Sequence, residues 1–224
     1  MYTSFFALKE LPFESRLDER FFYVGAQQHR ILELLSDNLS RTGSICVLTG
    51  ASGAGKTTLA RLLVRSLPAG ARVIAIDDPR LTPQELLTTL LRARETIPAP
   101  DLSLSELTHL VRGQYSIAQA HGEICTLILD EAQSLSGETL EQLRLLSNLE
   151  CPAGRLFSIL LLGQPQLLRR LMHPSQQMLW QRIRAFAALP PLTREEVGNY
   201  VNFRLHQAGG HEMLFSTAAL NELS

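Results

Sequence analysis

The octapeptide Gly-Ala-Ser-Gly-Ala-Gly-Lys-Thr, from Gly50 to Thr57, decides the fold of this 224-residue chain. It satisfies every fixed position of the GxxxxGK[ST] pattern of phosphate-binding (Walker A) loops. An apolar β-prone run, residues 45–49, leads into the loop, and an amphipathic helical pattern follows it. Glycines let such a loop turn tightly and aim its N–H groups at phosphate oxygens, and the helix N-terminus adds a positive dipole. The octapeptide therefore predicts a nucleotide-binding protein.

Within this loop, Lys56 is expected to reach the β- and γ-phosphates and the Thr57 hydroxyl to coordinate Mg²⁺. Lys56 is one of only two lysines in the chain, so its presence in this position is not a matter of composition. The residues predicted to bind the nucleotide are Gly50, Ala51, Ser52, Gly53, Ala54, Gly55, Lys56, Thr57 and Thr58.

A second apolar run, residues 124–129, ends in two acids, Asp130 and Glu131. Ligands of parallel α/β sheets bind at the carboxyl ends of the strands. We expect Asp130 to bind the nucleotide's Mg²⁺, through water, and Glu131 to orient or deprotonate the water that attacks the γ-phosphate. The alternative is that both acids only begin the next helix, where negative charge is favoured.

Two further polar positions are candidates for catalysis. Gln164 follows the apolar run 158–162 and is predicted to touch the γ-phosphate or the attacking water; alternatively, it only starts a helix before Pro165. Arg182 precedes the last predicted strand and is a candidate arginine finger for a neighbouring subunit's nucleotide, with Arg184 as the second choice. A solvated helix end, which also suits arginine, is the alternative for both.

Apolar runs alternate with helical patterns along the chain, which is typical of a parallel sheet between helices. Predicted strands cover residues 45–49, 72–77, 124–129, 158–162 and 186–189. Capping-box patterns predict helix starts at Thr82, Ser103 and Thr193. A last helix is predicted to start near Ser216. The predicted divisions are an N-terminal segment (1–43), a nucleotide-binding core (44–191) and the beginning of a helical lid (192–224).

The composition excludes several classes of protein. Hydrophobic residues make up 45% and charged residues 19% of the chain, which excludes intrinsic disorder. A net charge of −1 is untypical of a dedicated nucleic-acid binder. Three widely spaced cysteines favour a reducing compartment, and no apolar run reaches the roughly 18 residues that a membrane span needs. We expect a cytoplasmic protein.

Together the motifs resemble those of AAA+ ATPases, and more narrowly those of the family of general secretion pathway protein A and the MSHA pilus biogenesis ATPase. The similarity begins in the opening residues 1–13 and continues through residues 21–23 and His29. It extends through the phosphate-binding loop to Asp130-Glu131-Ala132-Gln133, residues 143–150, Leu162-Gly163-Gln164-Pro165 and residues 190–196.

This resemblance implies a five-stranded sheet of order 5-1-4-3-2, ATP hydrolysis with Mg²⁺, and a homo-oligomer that forms on nucleotide binding. It implies a secretion or pilus assembly partner in the bacterial inner membrane, to which the full-length protein would be anchored. Phe22, Tyr23 and His29 become candidates for the adenine pocket, with core packing as the alternative. The second-sensor arginine of the family's lid has no counterpart in these residues, so weak or no hydrolysis by this chain alone is expected.

Two other functions fit the same motifs. One is a DNA-associated AAA+ regulator of the transposition type, for which Arg169, Arg170, Arg182 and Arg184 form a modest basic cluster. Nucleic acid is an expected partner only under that interpretation. The other is a nucleotide-dependent scaffold with little turnover.

Overall fold

The central element of the computed structural model, which describes residues 2–14, 18–77, 80–210 and 214–222, is a five-stranded parallel sheet. The strands are β1 (Ile45–Gly50), β2 (Ala71–Ile76), β3 (Ile124–Leu129), β4 (Phe157–Gly163) and β5 (Ile183–Leu189). Their order is β2-β3-β4-β1-β5, and every neighbouring pair is parallel. The predicted order 5-1-4-3-2 and the α/β class are confirmed.

Helices connect the strands and cover both faces of the sheet. They are α1 (Tyr2–Phe5), α2 (Ala26–Leu39), α3 (Lys56–Ser66), α4 (Pro83–Arg92), α5 (Leu104–Ala120), α6 (Gly137–Ser147), α7 (Pro165–Leu171), α8 (Gln177–Trp180), α9 (Arg194–Gln207) and α10 (Thr217–Glu222). Short 3₁₀ turns lie at Glu19–Phe21, Ala132–Ser134 and Pro174–Gln176, and a small antiparallel pair joins Glu150–Cys151 to Gly154–Arg155. Within the described residues, no helix combines the length and the apolar composition that crossing a membrane requires.

The three predicted capping boxes start α4, α5 and α9. The hydroxyls of Thr82, Ser103 and Thr193 each accept a hydrogen bond from the backbone N–H of the glutamate three residues later. Each glutamate side chain in turn accepts from the backbone N–H of its capping residue. These reciprocal bonds satisfy N–H groups that the first helical turn leaves without an internal partner.

The two faces of the sheet carry separate cores. Side chains of β3 and β4 alternate between them, with Leu127 and Leu161 on one face and Ile128 and Leu160 on the other. The first face packs against α4, α5, α6 and α7, and the second against α2 and α3. Cys46 and Cys125 are buried in these cores, and burial raises the pKa of both thiols to about 12. Both cysteines are therefore neutral core residues.

Strand β5 begins three residues earlier than predicted. Its residues alternate between buried and exposed, with Ala185, Ala187 and Leu189 buried and Phe186 exposed, because it is an edge strand packed by α2 on one face. An alternating strand lacks the unbroken apolar run that marks a strand covered on both faces, so its first residues escaped prediction. Arg184 consequently lies within the strand, and the prediction that it precedes the strand is wrong.

The N-terminal residues pack against helix α9. Leu8 and Phe21 share a third apolar cluster with Val201, Leu205 and Ala208. Within the same contact, the Arg204 guanidinium lies 5.0 Å from the Phe21 ring centroid and donates to three backbone carbonyls of the N-terminal segment, those of Pro12, Glu14 and Phe21. These contacts attach the N-terminal segment to α9, the first helix of the predicted lid.

Candidate functional site

The loop between β1 and α3 has the backbone conformation that its glycines predict. Gly53 and Gly55 adopt left-handed conformations, with φ of 76° and 90°. A Cβ atom on Gly55 would also lie 2.7 Å from the Phe22 ring, so this position excludes any side chain on two grounds. Helix α3 begins at Lys56, and its first N–H groups face the loop without helical partners. The loop is therefore built to bind an anion.

Lys56 is buried beneath this loop. Only 5% of the residue is exposed, and its Nζ donates to the carbonyls of Gly50 and Ala51 at 3.0 and 2.9 Å. An ammonium group has three N–H donors, so one remains for a ligand. Because burying an unpaired cation is costly, an anionic ligand in the loop is strongly favoured.

Thr57 and Asp130 meet across the top of the sheet. The Thr57 hydroxyl donates a hydrogen bond to Asp130 Oδ2, and Asp130 Oδ1 accepts from the Glu131 N–H at 2.7 Å. Asp130 is 8% exposed at the end of β3. Hydroxyl and carboxylate oxygens are the ligands that Mg²⁺ prefers, so this pair fits the predicted ion.

Glu131, the residue after Asp130, has a left-handed backbone conformation with φ of 48° and ψ of 35°. This conformation is unusual for a residue with a side chain. It is the N-cap residue of the 3₁₀ turn Ala132–Ser134, and its side chain makes no capping hydrogen bond to that turn. Its side chain is exposed at the sheet's carboxyl edge and accepts a hydrogen bond from the Gln133 amide. The carboxylate is therefore available to a ligand bound at that edge.

Gln164 lies at the tip of β4, next to the tip of β3. It is the N-cap residue of α7 with Pro165 in the first helical position, and no side-chain hydrogen bond caps the helix. Its backbone N–H donates to Gln133 Oε1 at 2.9 Å. Gln133 was not predicted as a site residue, although a polar side chain two positions after Glu131 was a visible signal.

A cavity of about 560 Å³ adjoins the phosphate-binding loop. Phe22 and Tyr23 line it, whereas His29 is exposed on α2 and is not among the lining residues. Gln28 lines the cavity instead, because successive helical residues point about 100° apart. Gln28 is 4% exposed, and its Oε1 has no hydrogen-bond partner among the described residues. The remaining lining residues are Phe21, Thr58 and residues of the phosphate-binding loop, the segment 190–192 and α9.

The arginines of the predicted basic cluster have different surroundings. Arg182 is half-buried between α8 and β5, and no ion pair holds it within the described part of the chain. Arg184 is exposed on β5. Arg170, by contrast, donates to the backbone carbonyls of Gln133 and Leu135. Its guanidinium therefore stabilises the 3₁₀ turn Ala132–Ser134 and the residue after it.

Comparison with known proteins agrees with this geometry. The family model described as an AAA domain matches residues 39–171, more than half of the chain. The chain belongs to the AAA domain family. This AAA domain chain is 37% identical over 223 residues to General secretion pathway protein A of Aeromonas hydrophila, as the resemblance predicted. The match covers 100% of this chain and 41% of that relative, so the chain spans about two fifths of the relative's length.

Solved AAA structures share the fold. Cdc6p from Pyrobaculum aerophilum superposes with a TM-score of 0.67 at 20% identity, covering 98% of this chain and 57% of that one. The Aeropyrum pernix ORC1 protein, solved in complex with DNA, superposes with a TM-score of 0.64 at 20% identity. The superposition covers 88% of this chain and 52% of that one. Identities this low establish the AAA fold alone.

Proposed function

We propose that this AAA domain binds ATP with Mg²⁺ and hydrolyses it to ADP and phosphate, and that hydrolysis energises or assembles a cell-envelope secretion or pilus complex. The observation that carries the proposal is the hydrogen bond from Thr57 to Asp130. It brings the phosphate-binding loop and the paired acids together at one edge of the sheet, where a nucleotide's terminal phosphates would lie.

The cavity beside the loop would receive the adenosine. Phe22 and Tyr23 offer ring surfaces, and the buried Gln28 amide offers the polar contact that distinguishes one base from another. A buried amide oxygen without a partner carries an unfavourable desolvation cost, which an amino group of a bound base would remove. Adenine presents its amino group at C6, where guanine carries a carbonyl oxygen, so ATP is the proposed nucleotide.

Thr57 and Asp130 would hold the Mg²⁺, with Asp130 acting through water. When bound, the ion would neutralise charge on the nucleotide's phosphates. Around it, the free N–H of Lys56 and the N–H groups of the loop bind phosphate oxygens, and the Gln164 side chain contacts the γ-phosphate or the water. Glu131 accepts a proton from the attacking water, whose oxygen forms the new bond to phosphorus as the bond to the ADP oxygen breaks.

The variant Glu131→Gln tests this assignment, because it keeps the size of the side chain and removes the base. ATP affinity measured by calorimetry should stay within about twofold, whereas turnover should fall by roughly 10² or more. Asp130→Asn is the matched comparison and should weaken the Mg²⁺-dependent part of ATP binding. Parent-rate hydrolysis by Glu131→Gln would show that another residue activates the water.

The proposed secretion role is supported by the 37% identity that runs through the whole chain to General secretion pathway protein A. We propose a cytoplasmic AAA domain that assembles into a homo-oligomer on ATP binding and contacts an inner-membrane partner of type II secretion or pilus assembly. Arg182 is the proposed finger toward the neighbouring subunit's γ-phosphate, since it is half-buried with no ion pair among the described residues. Pull-down of inner-membrane proteins by the ATP-bound Glu131→Gln variant tests the partner.

The DNA-associated alternative receives less support. One of its four arginines, Arg170, already donates to backbone carbonyls, and the net charge of the chain is −1. Phosphate contacts require clustered lysine or arginine side chains that are free to reach the duplex. Duplex binding at low salt that is lost in an Arg182→Ala/Arg184→Ala double variant would favour the alternative.

A further inference from the structure

Gln133 connects the tips of two neighbouring strands. Its Nε2 donates to Glu131 Oε2 just after β3, and its Oε1 accepts from the Gln164 N–H, just after β4, at 2.9 Å. Both ends of one amide group are thus engaged, one by the proposed base and the other by the backbone of the residue proposed to contact the γ-phosphate.

The surrounding residues fix the position of the Gln133 side-chain amide. A Cβ atom on Gly163 would lie 2.8 Å from Gln133 Oε1, so the amide occupies the space that a side chain at position 163 would fill. From α7, Arg170 donates to the Gln133 carbonyl oxygen and to the Leu135 carbonyl oxygen. The side chain of Gln133 is therefore bonded to the Gln164 backbone, and the backbone of its turn is bonded to Arg170.

Glu131 needs such a partner. Its side chain is exposed and its backbone is left-handed, so within the described residues only the Gln133 amide holds its carboxylate by a hydrogen bond. Strand β4 lies between β3 and β1 in the sheet. A bond that links Glu131 to the tip of β4 consequently draws the carboxylate toward the side of the sheet that carries the phosphate-binding loop.

We propose that Gln133 is a positioning residue that holds the Glu131 carboxylate for catalysis and couples it to the Gln164 backbone. A displacement of Gln164 on nucleotide binding would then move Glu131 as well. The inference rests on the proposed function, in which Glu131 activates the attacking water.

Variants at Gln133 test the inference through the separation of kcat from KM. Gln133→Met keeps the length of the side chain and removes both hydrogen bonds, and we expect kcat to fall about 10- to 100-fold, as for a lost bond to a charged group. The KM for ATP should change by less than about twofold, because the nucleotide contacts remain. Gln133→Glu keeps an acceptor for Gln164 and places a second carboxylate against Glu131, so its kcat should fall at least as far.

The matched control is Gln166→Met, at an exposed glutamine in the first turn of α7. Its kcat and KM should equal those of the parent chain. Thermal unfolding of every variant separates misfolding from mispositioning. If Gln133→Met unfolds early, Gln133→Glu alone decides the comparison.

A double variant shows whether Gln133 acts through Glu131. In the Glu131→Gln background, Gln133→Met should cause no further loss of the residual rate, because residues that act as a unit are not additive. An additive loss, a parent-like kcat or a change confined to KM would overturn the inference while the proposed function stands. Parent-rate turnover by Glu131→Gln alone would instead contradict the proposed function.

Discussion

Among single residues, the burial of Lys56 leads to the sharpest prediction. Its ammonium group is almost fully buried and has one N–H donor left for a ligand. Lys56→Ala should therefore abolish measurable ATP binding by calorimetry and leave the thermal unfolding midpoint unchanged or raised, since a buried cation has been removed. Lys9→Ala, at the exposed second lysine of the chain, is the matched control and should bind ATP like the parent.

Base selectivity should depend on Gln28. Gln28→Met preserves the volume of the buried side chain and removes its hydrogen-bonding groups, so the preference for ATP over GTP should shrink by about tenfold or more. Displacement of a bound fluorescent ATP analogue by ATP and by GTP measures this preference. Gln27→Met, at the exposed neighbouring residue of α2, should leave the preference unchanged. An unaltered preference in Gln28→Met would remove Gln28 from base recognition.

At the scale of secondary-structure elements, the capping boxes make stability depend on pH. The Thr82 N–H and hydroxyl hold the pKa of Glu85 below its ordinary 4.5, and the Ser103 hydroxyl and N–H do the same for Glu106. A lowered folded-state pKa gives stability that is complete above about pH 4.5 and is lost as the pH falls through the lowered value. Acid should therefore loosen the starts of α4 and α5.

Urea unfolding at about pH 6 and about pH 3 measures this dependence. The Glu85→Gln/Glu106→Gln variant keeps both capping acceptors without a titrating group, so it should lose less stability than the parent between the two pH values. Glu33→Gln, at an exposed glutamate of α2 outside any capping box, should behave like the parent. Identical losses in all three proteins would contradict the capping contribution.

Strands dominated by apolar residues were the predictable ones. Each of the strands β1 to β4 lies within one residue of its predicted bounds, although β2 is an edge strand with exposed residues. The start of β5 was missed because the exposed Arg184 interrupts its apolar residues. Gln133 was missed for another reason. Its amide also accepts from the Gln164 N–H, 31 residues away in the sequence, and a polar residue at position 133 does not by itself reveal that contact.

For the whole molecule, we propose that a neighbouring subunit completes the site. Arg182 should matter little for ATP binding and greatly for turnover, because arginine fingers contribute about 10³ to 10⁵ in rate. Arg182→Ala and Lys56→Ala proteins should each be inactive alone and should recover part of the activity when mixed, as an intact site meets an intact finger. If the mixture recovers no activity although light scattering shows normal assembly, Arg182 is not the finger and Arg184 becomes the candidate.

The most direct measurement is the release of inorganic phosphate from ATP by the parent chain and by Lys56→Ala, side by side, with and without Mg²⁺. We expect the parent to release phosphate only with Mg²⁺, and Lys56→Ala to release none above the buffer blank. Equal rates in the two proteins, or release by the parent that persists after chelation of Mg²⁺, would contradict an ATPase site built on Lys56, Thr57 and Asp130.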